Sequence, residues 1–291
     1  METMPNRFAV TSLEYKLAEL RVEGLATDWY RGACDILRGG DGGEHGLLLY
    51  KLIRQRQGDA RPLVVLDVGT ARGFSAITMA RALCEAGGGS VYTIDVVGHE
   101  QARDWHVEKQ PSGDPLAGMT LSRSEIWHRW YPHEADLVSP IKGRSWDVLD
   151  DWNHGPIDVA FLDGDHSKGA VGRELAALSP LMAPEGVIVL DDYHLGANVF
   201  RLRSRVANRW IARIGRGLRG FWPSASRRLR LGTDNEFVVM KKKFSGITAA
   251  VHEFLVHQRE PWALEVIRMP ARGEQEDEDY GLALLTRTIG P

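Results

Sequence analysis

Cysteine is nearly missing from this chain: Cys34 and Cys84 are the only two among 291 residues. Neither stands at metal-ligand spacing, so no cysteine metal site and no disulfide framework is expected. Two thiols in a chain this long suit a reducing compartment. Long apolar runs are missing as well. None approaches the roughly 20 residues of a membrane helix, and residues 1–7 lead into no apolar signal-peptide core. The expectation is a soluble, cytoplasmic protein. Nor does one sign of charge dominate: a formal net charge of −3 argues neither for nor against nucleic acid as a partner. What is present is ordinary globular material, with 43% hydrophobic and 26% charged residues, enough for one α/β domain with additions.

From residue 63 strands and helices alternate. Leu63–Asp67 reads as a strand, Ser75–Ala86 as a helix and Ser90–Asp95 as a second strand. Ile157–Asp163 and Val187–Asp191 read as later strands, with a helix over 167–182 between them. Apolar strands alternating with helices imply a mostly parallel sheet covered on both faces. Leu13, Leu17 and Leu20, and the run Gly46–Ile53, give residues 11–56 a helical reading. The expected organisation is an N-terminal helical extension 1–56, a core domain 57–246 and a C-terminal extension 247–291. The core domain carries an insertion at 98–140 and a basic cap at 193–233, and Glu236–Met240 reads as a late strand. Glu274, Glu276, Asp277, Glu278 and Asp279 form an acidic cluster, read as a solvated tail.

The run Val65–Ser75 carries the most information. An apolar strand ends in Asp67, then Gly69 and Gly73 bracket a turn that opens a helix. Ligands of open parallel sheets bind beyond the carboxyl ends of the strands, and glycine lets the backbone turn tightly there and approach a ligand. The turn reads Gly-x-Ala-x-Gly, not Gly-x-Gly-x-x-Gly, so the dinucleotide fingerprint of a nicotinamide dehydrogenase is missing at this point. Asp95 ends the next strand, where a carboxylate can accept both hydroxyl hydrogens of a ribose. A helix cap is the plainer reading of Asp95 alone.

Asp163, Asp191 and Asp192 stand at the ends of two later strands. If those strands are neighbours, three carboxylates converge and repel one another unless a cation lies between them. Oxygen ligands without cysteine suit Mg²⁺, Mn²⁺ or Ca²⁺. Helix capping is the competing reading for each aspartate alone. His166 follows Asp163 by three residues. An imidazole titrates near neutrality and can take a hydroxyl proton at physiological pH, although a polar loop residue is its plainer reading. Asp165 is a candidate to orient it, and His194 is a second candidate base.

Two stretches carry a family resemblance. Leu66-Asp67-Val68-Gly69-Thr70-Ala71-Arg72-Gly73-Phe74-Ser75-Ala76 resembles motif I of the class I S-adenosylmethionine-dependent methyltransferases. The form is that of the catechol and caffeoyl-CoA O-methyltransferases and their bacterial sugar-methylating relatives. The stretch Leu162–Ser167 followed by Leu181–Tyr193 is similar to the metal-binding stretch of that branch. Its histidine replaces the lysine of the catechol type. Its final Asp191-Asp192 pair is as in several sugar and macrolide O-methyltransferases, where catechol enzymes have Asp-Asn.

The resemblance covers about residues 40–195, with a gap at 98–140. It implies a Rossmann-like fold, a mostly parallel seven-stranded sheet with helices on both faces, ending in an antiparallel hairpin. It implies S-adenosylmethionine as cofactor. Asp67, Gly69, Thr70, Ala71, Gly73, Ser75 and Asp163 would surround it near the methionine moiety, Asp95 would hold the ribose, and Gly143 and Ser145 would meet the adenine. It implies a divalent ion on Asp163, Asp191 and Asp192, with His166 as the general base and Asp163 beside it. The reaction implied is methyl transfer to a hydroxyl of a small acceptor, a vicinal diol of a sugar or natural product. Two alternatives stay open on the same fold: a non-catalytic S-adenosylmethionine or metal binder, and a cephalosporin-hydroxylase-like enzyme.

Acidic residues are missing between Asp192 and Asp234, while ten arginines stand between Arg201 and Arg230. Leu202, Val206, Trp210, Ile214 and Leu218 recur every four residues, an apolar stripe on a helix. This basic segment reads as a cap helix with solvated arginines, as a grip on an anionic acceptor, or as a peripheral membrane contact. No RNA-binding motif accompanies it, so no nucleic acid is expected. In the insertion, Trp105, His106, Trp127, His128, Trp130, Tyr131 and His133 read either as an acceptor wall or as core. The N-terminal helices are candidates to support a homo-oligomer.

Overall fold

A computed structural model describes residues 8–40, 43–56, 58, 61–105, 113–194, 234–258, 262–270 and 280–288. The first half runs β1 (Phe8–Ser12), α1 (Leu13–Glu19), α2 (Thr27–Ala33), α3 (Glu44–Arg54), β2 (Leu63–Val68), α4 (Phe74–Ala86) and β3 (Gly89–Asp95). A short ribbon of β4 (Arg103–Asp104) and β5 (Thr120–Leu121) follows, then α5 (Arg123–Trp130), α6 (Pro132–Ala135), β6 (Val138–Lys142) and α7 (Ser145–Asp150). The rest runs β7 (Ile157–Leu162), α8 (Lys168–Leu178), β8 (Met182–His194), α9 (Asp234–His257), β9 (Trp262–Arg268) and β10 (Tyr280–Arg287).

The main sheet has eight strands in the order β1-β9-β10-β8-β7-β2-β3-β6. β6, β3, β2, β7 and β8 run parallel to one another, whereas β10 lies antiparallel to both β8 and β9. β2 sits in the middle because its sequence, Leu-Val-Val-Leu-Asp-Val, buries on both faces. Val65 faces a cluster with Leu48, Ile53, Ile77 and Leu83 of α3 and α4. Leu66 and Val68 face the opposite cluster, with Val171 and Leu175 of α8 and Val251 and Phe254 of α9. Each such side chain taken fully out of water contributes roughly 1.5–3 kcal/mol. From β2 the chain moves outward to β3 and β6, then returns to β7 and β8 on the other side. The crevice at the carboxyl ends of β2 and β7 is therefore a topological switch point, where open α/β sheets bind ligands.

Several expectations are corrected here. The sheet has eight strands, not seven, because β1 adds an edge strand parallel to β9. Residues 1–56 are therefore not wholly helical, and the two flanking segments are not appendages: each contributes strands to the sheet. Residues 138–140 of the expected insertion belong to β6. The helix expected over 167–182 ends at Leu178, and Met182 already begins β8. The late strand expected at 236–240 lies in α9 instead. That helix docks Ile247, Val251 and Phe254 on the sheet, and the antiparallel hairpin is made by β9 and β10. Of the basic segment, Tyr193 and His194 finish β8, while the arginines from Arg201 to Arg230 and the acidic cluster at 274–279 lie outside the described residues. Among the described residues no helix is long and apolar enough to cross a membrane.

Candidate active site

The turn after β2 is held by backbone geometry that other residues would not tolerate. Gly69 has φ +96°, and a Cβ there would stand 2.2 Å from the carbonyl oxygen of Asp163. The turn thus lies directly against the end of β7, where the Asp163 amide also donates to the Val68 carbonyl at 2.9 Å. Gly73 has φ +101°, and a Cβ there would meet the Trp127 ring at 2.4 Å. Trp127 in turn donates its indole N–H to the Arg72 carbonyl at 2.8 Å.

Asp67 lies behind this turn rather than in it. It is fully buried, and it accepts hydrogen bonds from Ser75 Oγ and Thr93 Oγ1, each at 2.6 Å. Burial pushes its carboxyl up to about 6, against the pull of the two hydroxyls. Thr70 Oγ1 pairs with Thr93 Oγ1 at 2.6 Å. Asp67, Thr70, Gly73 and Ser75 are therefore the frame of the turn. Gly69, Ala71, Asp95, Gly143, Ser145 and Asp163 instead line a cavity of about 520 Å³ at the sheet's carboxyl edge. That volume is in the range of pockets for drug-sized ligands.

Asp95 stands at the cavity mouth with three protein donors. Its Oδ1 accepts the Val97 amide at 2.8 Å, and its Oδ2 accepts the Ala71 amide at 3.1 Å and Arg123 Nη2 at 2.9 Å. Ala71 itself sits at φ 46°, a left-handed conformation uncommon for alanine. At the far wall, Ser145 Oγ donates to buried Glu174 at 2.5 Å, and burial raises the Glu174 carboxyl. Trp146 also lines the cavity, with the Arg173 guanidinium 4.0 Å from its ring centre.

The second group lies at the ends of β7 and β8. His166 Nε2 is 3.1 Å from Asp163 Oδ1, and Nδ1 is 2.7 Å from Asp192 Oδ2. The imidazole therefore lies between two carboxylates. Hydrogen bonds to Asp163 and Asp192 push its pKa up to about 10. Burial raises the Asp163 carboxyl to about 6, with further upward pressure from Asp191 and Asp192. Asp191 Oδ1 accepts the Tyr280 hydroxyl at 2.5 Å and the Asp192 amide at 2.9 Å. Asp192 has φ 52°. Asp165, a candidate either to orient His166 or simply to be solvated, accepts the Ser167 amide at 2.9 Å. His194 is buried at the foot of this group, its ring 5.9 Å from that of Tyr280. Among the described residues no group of three His, Cys, Asp or Glu side chains is arranged as a ready-made metal cage.

Residues that sequence reasoning passed over are as telling. Arg123 is buried at the start of α5 and donates to Asp95, to the Ala71 carbonyl at 2.7 Å and to the Val97 carbonyl at 3.3 Å. Arg72 reaches the other way, pairing with buried Asp114 at 2.5 Å and donating to the Trp105 carbonyl. The insertion is thus laced to the cofactor turn rather than hung beside it. One signal was legible: Ser122-x-x-Glu125 is a capping box, and it fixes the helix start from which Arg123 projects. The aromatic residues of the insertion divide. Trp127 and Tyr131 are core, Trp105 lines the cavity, and His106 lies outside the described residues.

A glycine turn after the first central strand, a carboxylate at the end of the second and this strand order together define the class I methyltransferase architecture. The comparisons agree. Residues 66–193 match the family model described as a methyltransferase domain. The O-methyltransferase TomG from Streptomyces achromogenes, solved with S-adenosylmethionine, superposes with a TM-score of 0.52 at 18% identity, covering 95% of this chain and 96% of that one. A Corynebacterium glutamicum protein gives a TM-score of 0.51 at 14% identity, covering 96% and 97%. At these identities the likeness is one of fold. No curated protein matches the chain in sequence. Residues 66–193 are thus similar to a methyltransferase domain, and the chain shares the fold of these O-methyltransferase structures.

Proposed function

We propose that this protein is an O-methyltransferase that uses S-adenosylmethionine and a hydroxyl of a small-molecule acceptor, a vicinal diol of a sugar or natural product. The observation that carries the proposal is the sharing of Asp163 by two adjoining groups. It lines the cavity with Gly69, Ala71 and Asp95, and it also contacts His166. The cavity wall fits the cofactor in chemistry: Asp95 presents a carboxylate for a ribose, and Trp146 presents an aromatic face for a base. When bound, S-adenosylmethionine supplies a methyl group on a sulfonium, released to the attacking oxygen as the carbon–sulfur bond breaks and a neutral thioether leaves.

His166 is the proposed acceptor of the hydroxyl proton. As placed, both ring nitrogens face carboxylates that hold the ring protonated, so His166 must first give up a proton and free one nitrogen from Asp163 or Asp192 before it can take the hydroxyl proton. Asp163 and Asp192 then steady the ring on either side. The protein's main contribution is alignment of the acceptor oxygen, which can supply several kcal/mol of barrier reduction.

Asp163, Asp191 and Asp192 would hold a divalent cation such as Mg²⁺, Mn²⁺ or Ca²⁺. The donor chemistry fits, being all carboxylate oxygen from adjacent strand ends, and a cationic ring already lies between two of them. A cage is not ready-made, because His166 lies between Asp163 and Asp192 and Asp191 is turned to Tyr280. A bound cation of this kind supplies Lewis acidity that lowers the pKa of an acceptor hydroxyl.

The test is calorimetric titration of S-adenosylmethionine, followed by Mg²⁺ into the loaded protein, for the wild type and Asp191→Ala. Cofactor binding by both, with Mg²⁺ binding by the wild type alone, is the expected result. Failure of the wild type to bind the cofactor in the presence of metal would overturn the methyltransferase reading.

A further inference from the structure

We infer that Arg123, from the insertion, is a positioning residue for ribose recognition: it sets Asp95 and the Ala71 turn as one unit. The inference rests on the S-adenosylmethionine reading of the cavity. One guanidinium spans three points around the proposed ribose position. Nε donates to the Ala71 carbonyl at 2.7 Å, Nη1 to the Val97 carbonyl at 3.3 Å and Nη2 to Asp95 Oδ2 at 2.9 Å. The Arg123 side chain is 1% exposed and that of Asp95 14%, so the guanidinium is buried and the carboxylate keeps an opening to the cavity.

Three features make the arrangement directional. First, an ionised carboxylate has about four acceptor positions, and Asp95 already gives three of them to Val97, Ala71 and Arg123. The orientation of its plane, and the one acceptor position left on Oδ1 for a ribose hydroxyl, are therefore fixed by those partners. Second, Ala71 holds a left-handed conformation at φ 46°. Such a residue needs its surroundings to hold it, and here its N–H is tied to Asp95 while its carbonyl is tied to Arg123. Third, the tie is reciprocal. Arg72, beside Ala71, is anchored in the insertion by Asp114 and the Trp105 carbonyl. The two arginines cross between turn and insertion in opposite directions, so the ribose wall is built from both.

The measurement is a two-ligand comparison by calorimetry: S-adenosylhomocysteine and its 2′,3′-dideoxy analogue, each against wild type, Arg123→Gln and Arg123→Lys, with thermal unfolding of each variant. A residue that positions the ribose acceptor couples to the ribose hydroxyls. Arg123→Gln is expected to weaken S-adenosylhomocysteine on the order of tenfold while leaving the dideoxy analogue nearly unchanged. Arg123→Lys keeps the charge without the fork, is expected to show the same pattern, and serves alone if Arg123→Gln does not fold. Equal losses for both ligands would mean that Arg123 only supports the fold, and the inference is then overturned while the cofactor reading stands. Failure of the wild type to bind either ligand overturns both together.

Discussion

Tyr280 donates its hydroxyl to Asp191 Oδ1 at 2.5 Å, joining the first residue of β10 to the carboxyl edge of β8. The contact links residues 89 positions apart, and it holds a largely buried carboxylate that also accepts the neighbouring Asp192 amide. Tyr280→Phe removes the donor and keeps the ring. Hydrogen bonds to charged groups contribute about 1.5–3 kcal/mol, so a loss of thermal stability of several degrees is expected. Turnover is expected to fall about tenfold through the misaligned Asp191. S-adenosylmethionine affinity should be unchanged, because neither residue lines the cavity. Unaltered turnover and melting temperature would show that the Asp192 amide suffices.

Gly69 and Gly87 offer a matched pair for testing what holds the cofactor turn. Their φ values are +96° and +97°, but a Cβ on Gly87 meets nothing within 4 Å, whereas one on Gly69 meets the Asp163 carbonyl at 2.2 Å. Gly87→Ala should therefore cost only the left-handed strain, about 1–2 kcal/mol. Gly69→Ala adds a backbone collision and should cost more than about 3 kcal/mol. Denaturant unfolding of both variants gives the difference. Equal losses would mean that the turn can move away from β7, contrary to the packing described.

Asp67 gives a pH signature. Its folded pKa of about 6 lies above the ordinary 3.8 because the carboxyl is buried. The folded protein therefore holds that proton more tightly than the unfolded chain does. The resulting stability is fully present below pH 3.8 and is lost as pH rises through about 6. Asp67→Asn cannot titrate, so the difference in unfolding free energy between wild type and variant should change across that window by about 2–3 kcal/mol. A flat difference across the window would show that Ser75 and Thr93 hold the carboxylate ionised despite its burial.

How far the site could be read in advance follows from the range of its interactions. The glycine turn was legible because Gly69 and Gly73 satisfy a local backbone requirement, and the aspartates were legible because they stand where apolar strands end. Arg123 was not legible as a site residue, since its partners Ala71 and Asp95 lie 52 and 28 residues away and the capping box beside it marks only a helix start. Asp67 was read as touching the cofactor, because sequence locates the strand end but not the side of the turn that a side chain takes. The run at 236–240 is apolar and suits a strand, yet it lies in α9, and the hairpin position is filled by β9 and β10. Edge strand β1 gave no signal distinct from the helices that follow it.

Asp163 and Asp192 flank the same ring but should fail differently. Asp163 lines the cavity as well as contacting His166, while Asp192 contacts His166 without lining the cavity. Asp192 holds φ 52°, a region that asparagine occupies more readily than most residues. Asp192→Asn should therefore fold normally and keep its S-adenosylmethionine affinity within about threefold. It removes a charge from beside the proposed base, and kcat is expected to fall about a hundredfold. Asp163→Asn removes a charge from both groups and should weaken cofactor binding and turnover together. Calorimetry with the cofactor, paired with methyl-transfer assays on a diol panel, separates the two variants. If Asp192→Asn loses cofactor affinity as severely as Asp163→Asn, the two groups form one indivisible site and the division between cavity and base is wrong. If neither variant alters turnover, His166 is held by these carboxylates for stability alone, and the proton acceptor must be sought among other residues.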